Sequence, residues 1–102
     1  MEDVSVQARK ILATEITMPC RMGLHARVAT RFIYFAQRFR SAIRIIKGEL
    51  IVDGKSIFGL LVLGASWNSK LRIEVSGEDA EKTIQGIETY FQMPENCLDE
   101  DR

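Results

Sequence analysis

The chain holds one histidine, His25, within Gly23-Leu24-His25-Ala26-Arg27-Val28-Ala29-Thr30. Ala29, Phe32, Ile33, Ala36 and Phe39 follow at i, i+3, i+4, i+7 and i+10, the spacing of one buried helix face. His25 therefore stands at or beside a helix N-terminus, and Gly23 permits a tight turn just before it. A helix start presents unpaired backbone N–H groups and a partial positive charge. Arg27 adds a planar fork of donors that suits a phosphate. A nucleophilic imidazole beside such an anion-binding turn points to phosphoryl chemistry. On its own the stretch is a weak signal, because a histidine near a helix start is by default a surface or capping residue.

The elements that must position these residues follow from periodicity. Ile11 to Met18 alternates in part and reads as a first strand, with Ile16 and Met18 on one side, Thr14 and Thr17 among the polar positions, and Pro19 ending it. The loop from Cys20 to Gly23 delivers the chain to a helix expected over Ala26 to Phe39, whose solvent side carries Arg31, Gln37, Arg38 and Arg40. Ala42 to Lys47 is rich in β-branched residues and reads as a second strand, and Leu50 to Val52 as a third, closed by the turn dipeptide Asp53-Gly54.

The apolar run from Lys55 to Gly64 fits a short buried helix better than a strand. Ser56 is a good N-cap, Ile57, Leu60, Leu61 and Leu63 supply apolar positions, and Gly64 can terminate the helix. Ala65 to Ser69 is a turn in which Asn68 tolerates a left-handed conformation and Trp67 is exposed. Lys70 to Val75 alternates strictly, with Leu71, Ile73 and Val75 facing inward. Beyond Gly77, the positions Ala80, Ile84, Ile87 and Phe91 define a last amphipathic helix that ends before Pro94. The order βαββαβα of half-buried strands and amphipathic helices calls for a two-layer α+β sandwich.

Composition sets further bounds. A chain of 102 residues with 46% hydrophobic content makes one domain, residues 1–102, with a core over about 11–91, a polar leader and an acidic tail from Pro94. Formal charge is zero, yet it is unevenly placed: Arg21, Arg27, Arg31, Arg38, Arg40, Arg44 and Lys47 fall in a stretch without Asp or Glu, while the acidic residues crowd the C-terminal quarter. A basic face of this kind can steer an acidic partner, although such faces are more often simply solvated. Cys20 and Cys97 lie far apart without metal or redox-motif spacing, so both are expected as reduced thiols in a cytoplasmic protein. No signal-like run or stretch of about eighteen apolar residues is seen, so no membrane insertion is expected.

Two patterns, Gly-Leu-His-Ala-Arg at 23–27 and Val-Asp-Gly-Lys-Ser-Ile-Phe-Gly-Leu-Leu at 52–61, occur in the order and spacing that resemble the HPr family. These are the histidine-containing phosphocarriers of the bacterial phosphoenolpyruvate-dependent sugar phosphotransferase system. Leu63-Gly64-Ala65 and Gly77-Glu78-Asp79-Ala80 extend the likeness, which runs from about Ile11 to Phe91. The resemblance implies an open-faced sandwich, with three helices over one face of a four-stranded antiparallel sheet in the order 1-4-2-3. It implies that His25 accepts a phosphoryl group on Nδ1 from phospho-Enzyme I and donates it to an EIIA-type acceptor, with Arg27 stabilising the phosphate. Ser56 matches a position that a dedicated kinase/phosphorylase modifies in many relatives. Leu24, Ile57, Phe58 and Leu61 match the apolar docking patch, and Arg21, Arg27 and Arg31 are candidates for its basic rim. Val28 departs from the pattern, which usually has proline there.

A helix-terminus interaction is worth roughly 0.3–1 kcal/mol when exposed, which suits a carrier that must release what it accepts. Such a protein is not a stand-alone catalyst and needs no cofactor. The alternatives are a regulatory module in which Ser56 phosphorylation controls binding to an enzyme or transcription regulator, and a carrier in a nitrogen-linked branch. Ser56 is in any case a helix cap, and Phe58 and Leu61 could equally be core residues. Zero net charge and the lack of an RNA-recognition aromatic motif argue against nucleic acid. One histidine and two distant cysteines make a poor metal set. A small domain with one functional apolar patch is expected to be a monomer.

Overall fold

The computed structural model describes residues 10–97. The expected leader, residues 1–9, and the acidic residues after Cys97 lie outside them. Strands β1 (Lys10–Thr17), β2 (Ala42–Lys47), β3 (Leu50–Asp53) and β4 (Lys70–Gly77) form one antiparallel sheet in the order β1-β4-β2-β3. Helices α1 (Ala26–Ala36), α2 (Ile57–Leu63) and α3 (Ala80–Gln92) cover one face of it. This is the two-layer α+β sandwich expected from the element order, with the open face and strand order that the family resemblance implies.

Strand alternation sorts the two faces. Thr14 pairs with Ile73, Ile73 with Ile45, and Ile45 with Val52, making one row across the covered face. Leu12, Val75 and Ile43 make the next row. Thr14 thus lies on the core side rather than among solvent positions, and its hydroxyl donates to Glu88 Oε2 of α3 across 2.7 Å. On the open face Glu74 accepts from Arg72 Nε at 3.0 Å and Arg44 Nη2 at 3.1 Å, and its carboxyl is held below the usual range, first by the Arg72 hydrogen bond. These exposed pairs organise a solvated surface and contribute little stability.

The core joins sheet residues Ile43, Ile45, Leu71, Ile73 and Val75 to Val28, Ala29, Phe32 and Ala36 of α1, Leu60 and Leu63 of α2, and Ile87 of α3. Phe32, Phe35, Tyr90 and Phe91 interlock between α1 and α3, with Phe32 and Tyr90 edge to face at 5.5 Å. The Tyr90 hydroxyl is buried and has no hydrogen-bond partner among the described residues, and burial raises its pKa while nearby Arg31 acts in the opposite sense.

Some boundaries differ from expectation. Helix α1 stops at Ala36, and Arg38 and Phe39 continue only in tight turns onto Phe35 and Ala36 carbonyls, which leaves Phe39 half-buried. Residues Pro94–Cys97, expected as the start of an acidic tail, are part of the folded domain. They form a 3-10 turn, in which buried Asn96 donates from Nδ2 to the Tyr90 carbonyl at 2.8 Å.

Candidate functional site

His25 is the N-cap of α1, with extended backbone at φ −84° and ψ 176°, and its carbonyl accepts the first helical bond from Ala29 N–H at 2.8 Å. The N–H groups of Ala26, Arg27 and Val28 belong to the first turn and have no acceptor within the helix. The imidazole is partly exposed and Arg27 is exposed beside it. A shallow cavity of about 410 Å³, lined by Ala26, Arg27, Thr30, Arg31 and Tyr34, opens along the same helix turn. Thr30 and Tyr34 were not singled out from sequence. Their spacing of three and seven residues from Arg27, one helical face, is the signal that places them there.

The turn before His25 is tightly specified. Gly23 has φ +75°, and a Cβ on it would lie 2.6 Å from the Ala65 carbonyl oxygen. Its N–H donates to the Cys20 carbonyl at 2.9 Å, and Leu24 N–H donates to the Ala65 carbonyl at 2.9 Å. Ala65 follows α2, so the segment holding His25 is hung from the end of that helix. Leu24 is only 6% exposed and belongs to the core, which corrects the expectation that it lines the docking surface. It anchors the loop instead. Val28 is likewise buried, and a proline there would remove only a first-turn N–H that α1 does not use.

Helix α2 supplies the neighbouring surface. Ser56 caps it by accepting from Gly59 N–H at 3.1 Å, and Gly64 closes it in the left-handed conformation, as its sequence suggested. Gly59 lets α2 lie close on β3: a Cβ there would stand 3.1 Å from Val52 Cβ. One face of α2 therefore presses inward through Leu60 and Leu63, and the other turns out Ile57, Phe58, Leu61 and Val62. Phe58 is 79% exposed, which answers the question of whether it is a core residue. Val62 joins this patch without having been singled out. Arg31 is exposed on α1, where its Nε donates to Asn96 Oδ1 at 3.1 Å.

The cysteines overturn an expectation. Cys20 and Cys97 form a disulfide across 77 positions of sequence, so neither is a free thiol. No spacing rule relates them, because their Cα atoms meet at 5.3 Å only after α3 has returned the chain to the end of β1. Among the described residues no cluster of His, Cys, Asp or Glu is placed to hold a metal ion, and no helix is long and apolar enough to cross a membrane.

Comparisons with known proteins agree with this geometry. Residues 12–93 match the family model described as the phosphorylation-site HPr component of the phosphotransferase system. The chain is 31% identical to a phosphocarrier protein HPr of Xylella fastidiosa, covering 89% of this chain and 99% of that one. It is also 32% identical to a phosphocarrier protein NPr of Shewanella violacea, over 74% of this chain and 84% of that one. Among solved structures, an HPr of Thermoanaerobacter tengcongensis superposes with a TM-score of 0.78 at 29% identity, over 87% of this chain and 98% of that one. With the fold, the helix-capping histidine and these relatives in agreement, the chain belongs to the HPr family of phosphocarrier proteins.

Proposed function

We propose that His25 is the phosphoryl acceptor, taking the group from phospho-Enzyme I and passing it to an EIIA-type domain. The observation that carries this reading is the position of His25 as N-cap of α1, flanked by Arg27 and adjoining the exposed apolar face of α2. As the bond from phosphorus to Nδ1 forms, the donor's bond to phosphorus breaks. The first-turn N–H groups and Arg27 then face the developing negative charge. Each such contact is modest, so the group is held and released with little bias.

Docking is assigned to Ile57, Phe58 and Leu61, with Arg21, Arg27 and Arg31 as the basic rim that steers an acidic partner surface. Leu24 supports that surface from beneath. The protein acts as a monomer in the cytoplasm, where its phosphorylated donor is made. A pulse of labelled phosphoenolpyruvate with Enzyme I, followed by a chase with an EIIA domain, tests the relay. The label should enter this chain and leave it for the acceptor; a label that enters and stays would rule out a carrier.

A second reading concerns regulation. Ser56 sits beside Ile57 and Phe58, so a phosphate on its hydroxyl would add about two negative charges at the edge of the apolar patch and weaken docking without unfolding the domain. Incubation with a cognate kinase/phosphorylase and ATP, followed by peptide mapping, distinguishes Ser56 from His25 as the modified residue. Likeness to a phosphocarrier protein NPr also supports considering a nitrogen-linked branch as the pathway served.

A further inference from the structure

We propose that the Cys20–Cys97 disulfide is an exchangeable redox site, reduced by a protein or small-molecule dithiol, whose state controls the geometry of the loop that carries His25. The regulatory part of this inference rests on the carrier reading of His25. Two observations carry it, with the cytoplasmic location proposed above as a third argument.

The disulfide is joined to the His25 loop. Cys20 begins the turn whose other end is Gly23, closed by the hydrogen bond from Gly23 N–H to the Cys20 carbonyl. Leu24 and His25 follow directly. Met18, two residues before Cys20, is clasped too: its N–H donates to the Ser69 carbonyl at 2.8 Å, and Asn68 N–H donates to the Met18 carbonyl at 2.9 Å. The disulfide adds a covalent strut from this turn to the 3-10 turn Pro94–Cys97 that follows α3. The neighbouring Asn96 continues the connection, since its amide oxygen holds Arg31 of α1. Redox state can thus reach both His25 and a rim arginine through bonded neighbours.

The two sulfurs differ in access. Cys20 is 2% exposed, whereas Cys97 is partly exposed and lines a cleft of about 350 Å³ with Arg21, Trp67, Met93 and Pro94. An incoming thiolate therefore attacks at the more exposed Cys97 and displaces Cys20 as the leaving thiolate. The second thiol of the reductant attacks its own sulfur in the mixed disulfide and releases Cys97. The dithiol leaves as a disulfide, having delivered two electrons and two protons to Cys20 and Cys97. The cleft, with exposed Trp67 and Met93 beside Arg21 and Gln92, is a fitting approach for a redox partner's loop.

Location supplies the third argument. In a reducing compartment a reachable disulfide is a transient, sensing bond rather than a permanent staple. The oxidised form holds the loop in place before any donor arrives, so it accepts phosphoryl groups faster than the reduced form by about fivefold.

The experiment uses the full chain in oxidised and reduced dithiothreitol buffers of graded ratio, at native conditions. Thiol counts follow the exchange, and emission from Trp67, the single tryptophan, follows the cleft. Amide NMR shifts of Gly23, Leu24 and His25 follow the loop, and initial rates of phosphorylation by Enzyme I and phosphoenolpyruvate follow function. The expected result is reversible release of two thiols, shifts at those three amides, and slower phosphorylation when reduced. Cys97→Ser should be slow in both buffers. A disulfide that opens only in denaturant would overturn the exchange, and equal rates with unshifted amides would overturn the control. If neither redox form takes the phosphoryl group, the carrier reading fails by itself, while the thiol counts and amide shifts still decide whether the loop is under redox control.

Discussion

The Leu24 amide donates to the Ala65 carbonyl across 2.9 Å, so the residue before His25 is fastened to the residue that follows the helix α2 cap. This bond makes the histidine loop and the exposed face of α2 parts of one surface. It also explains why a glycine stands at position 23, where φ is +75° and Ala65 leaves no room for a Cβ. Gly23→Ala is expected to destabilise the fold by about 2 kcal/mol through the forbidden backbone conformation and the clash. Its phosphorylation rate should fall further than unfolded population alone accounts for. Urea unfolding and initial transfer rates on the same sample check both, and an unchanged midpoint would remove the steric argument.

Phe58 makes the opposite case. It is exposed, so Phe58→Ala should change stability by less than about 0.5 kcal/mol. If it docks partners, the KM of Enzyme I for this substrate should rise on the order of tenfold, as for an aromatic anchor at an interface. A KM within twofold of the parent would take Phe58 out of the docking surface.

Much of this arrangement was legible in the sequence, for identifiable reasons. Leu71, Ile73 and Val75 alternate with charged neighbours, and a period of two leaves no choice of face. Ser56 and Gly64 mark helix ends by local backbone chemistry that needs no tertiary partner. Leu24, placed on the docking patch by the family resemblance alone, is 6% exposed, a burial that no local periodicity before α1 announces. Thr83 and Tyr90 are buried beside Ala80 and Ile87, yet their polar atoms hid them from an apolar count. The disulfide was out of reach because nothing local relates residues 77 positions apart.

That cross-link carries its own stability prediction. Closing so long a loop restricts the unfolded chain, and by the chain-entropy model it stabilises the fold by about 4.5 kcal/mol at most. Reduction, or Cys97→Ser, should lower the urea midpoint accordingly while the fold persists. Far-UV and near-UV dichroism with denaturant titration measures this, and coincident curves for the oxidised and reduced forms would contradict it.

Asp79 ties α3 to the start of β2. Its carboxylate accepts from the Ser41 hydroxyl and from the Arg40 and Ser41 amides at 2.9 Å each, and these bonds, the Ser41 hydroxyl foremost, lower its pKa from 3.8 to about 2. Because the folded value is depressed, the stabilisation is present above pH 3.8 and is lost as pH falls through about 2. Asp79→Ala should cost about 2 kcal/mol near neutrality by leaving buried Ser41 and two amides unpaired. Stability measured between pH 5 and pH 2 should decline less in that variant than in the parent, and parallel declines would exclude Asp79 as a source of acid sensitivity.

The proposed relay requires the phosphoryl group to reside on the imidazole of His25. Incubation with Enzyme I and phosphoenolpyruvate, followed by intact-mass and peptide analysis, locates it. One acid-labile, base-stable phosphoryl group per chain is expected, mapped to the peptide containing His25 and absent from His25→Ala. A phosphoryl group that persists in His25→Ala, or a parent chain that never acquires one, would contradict it.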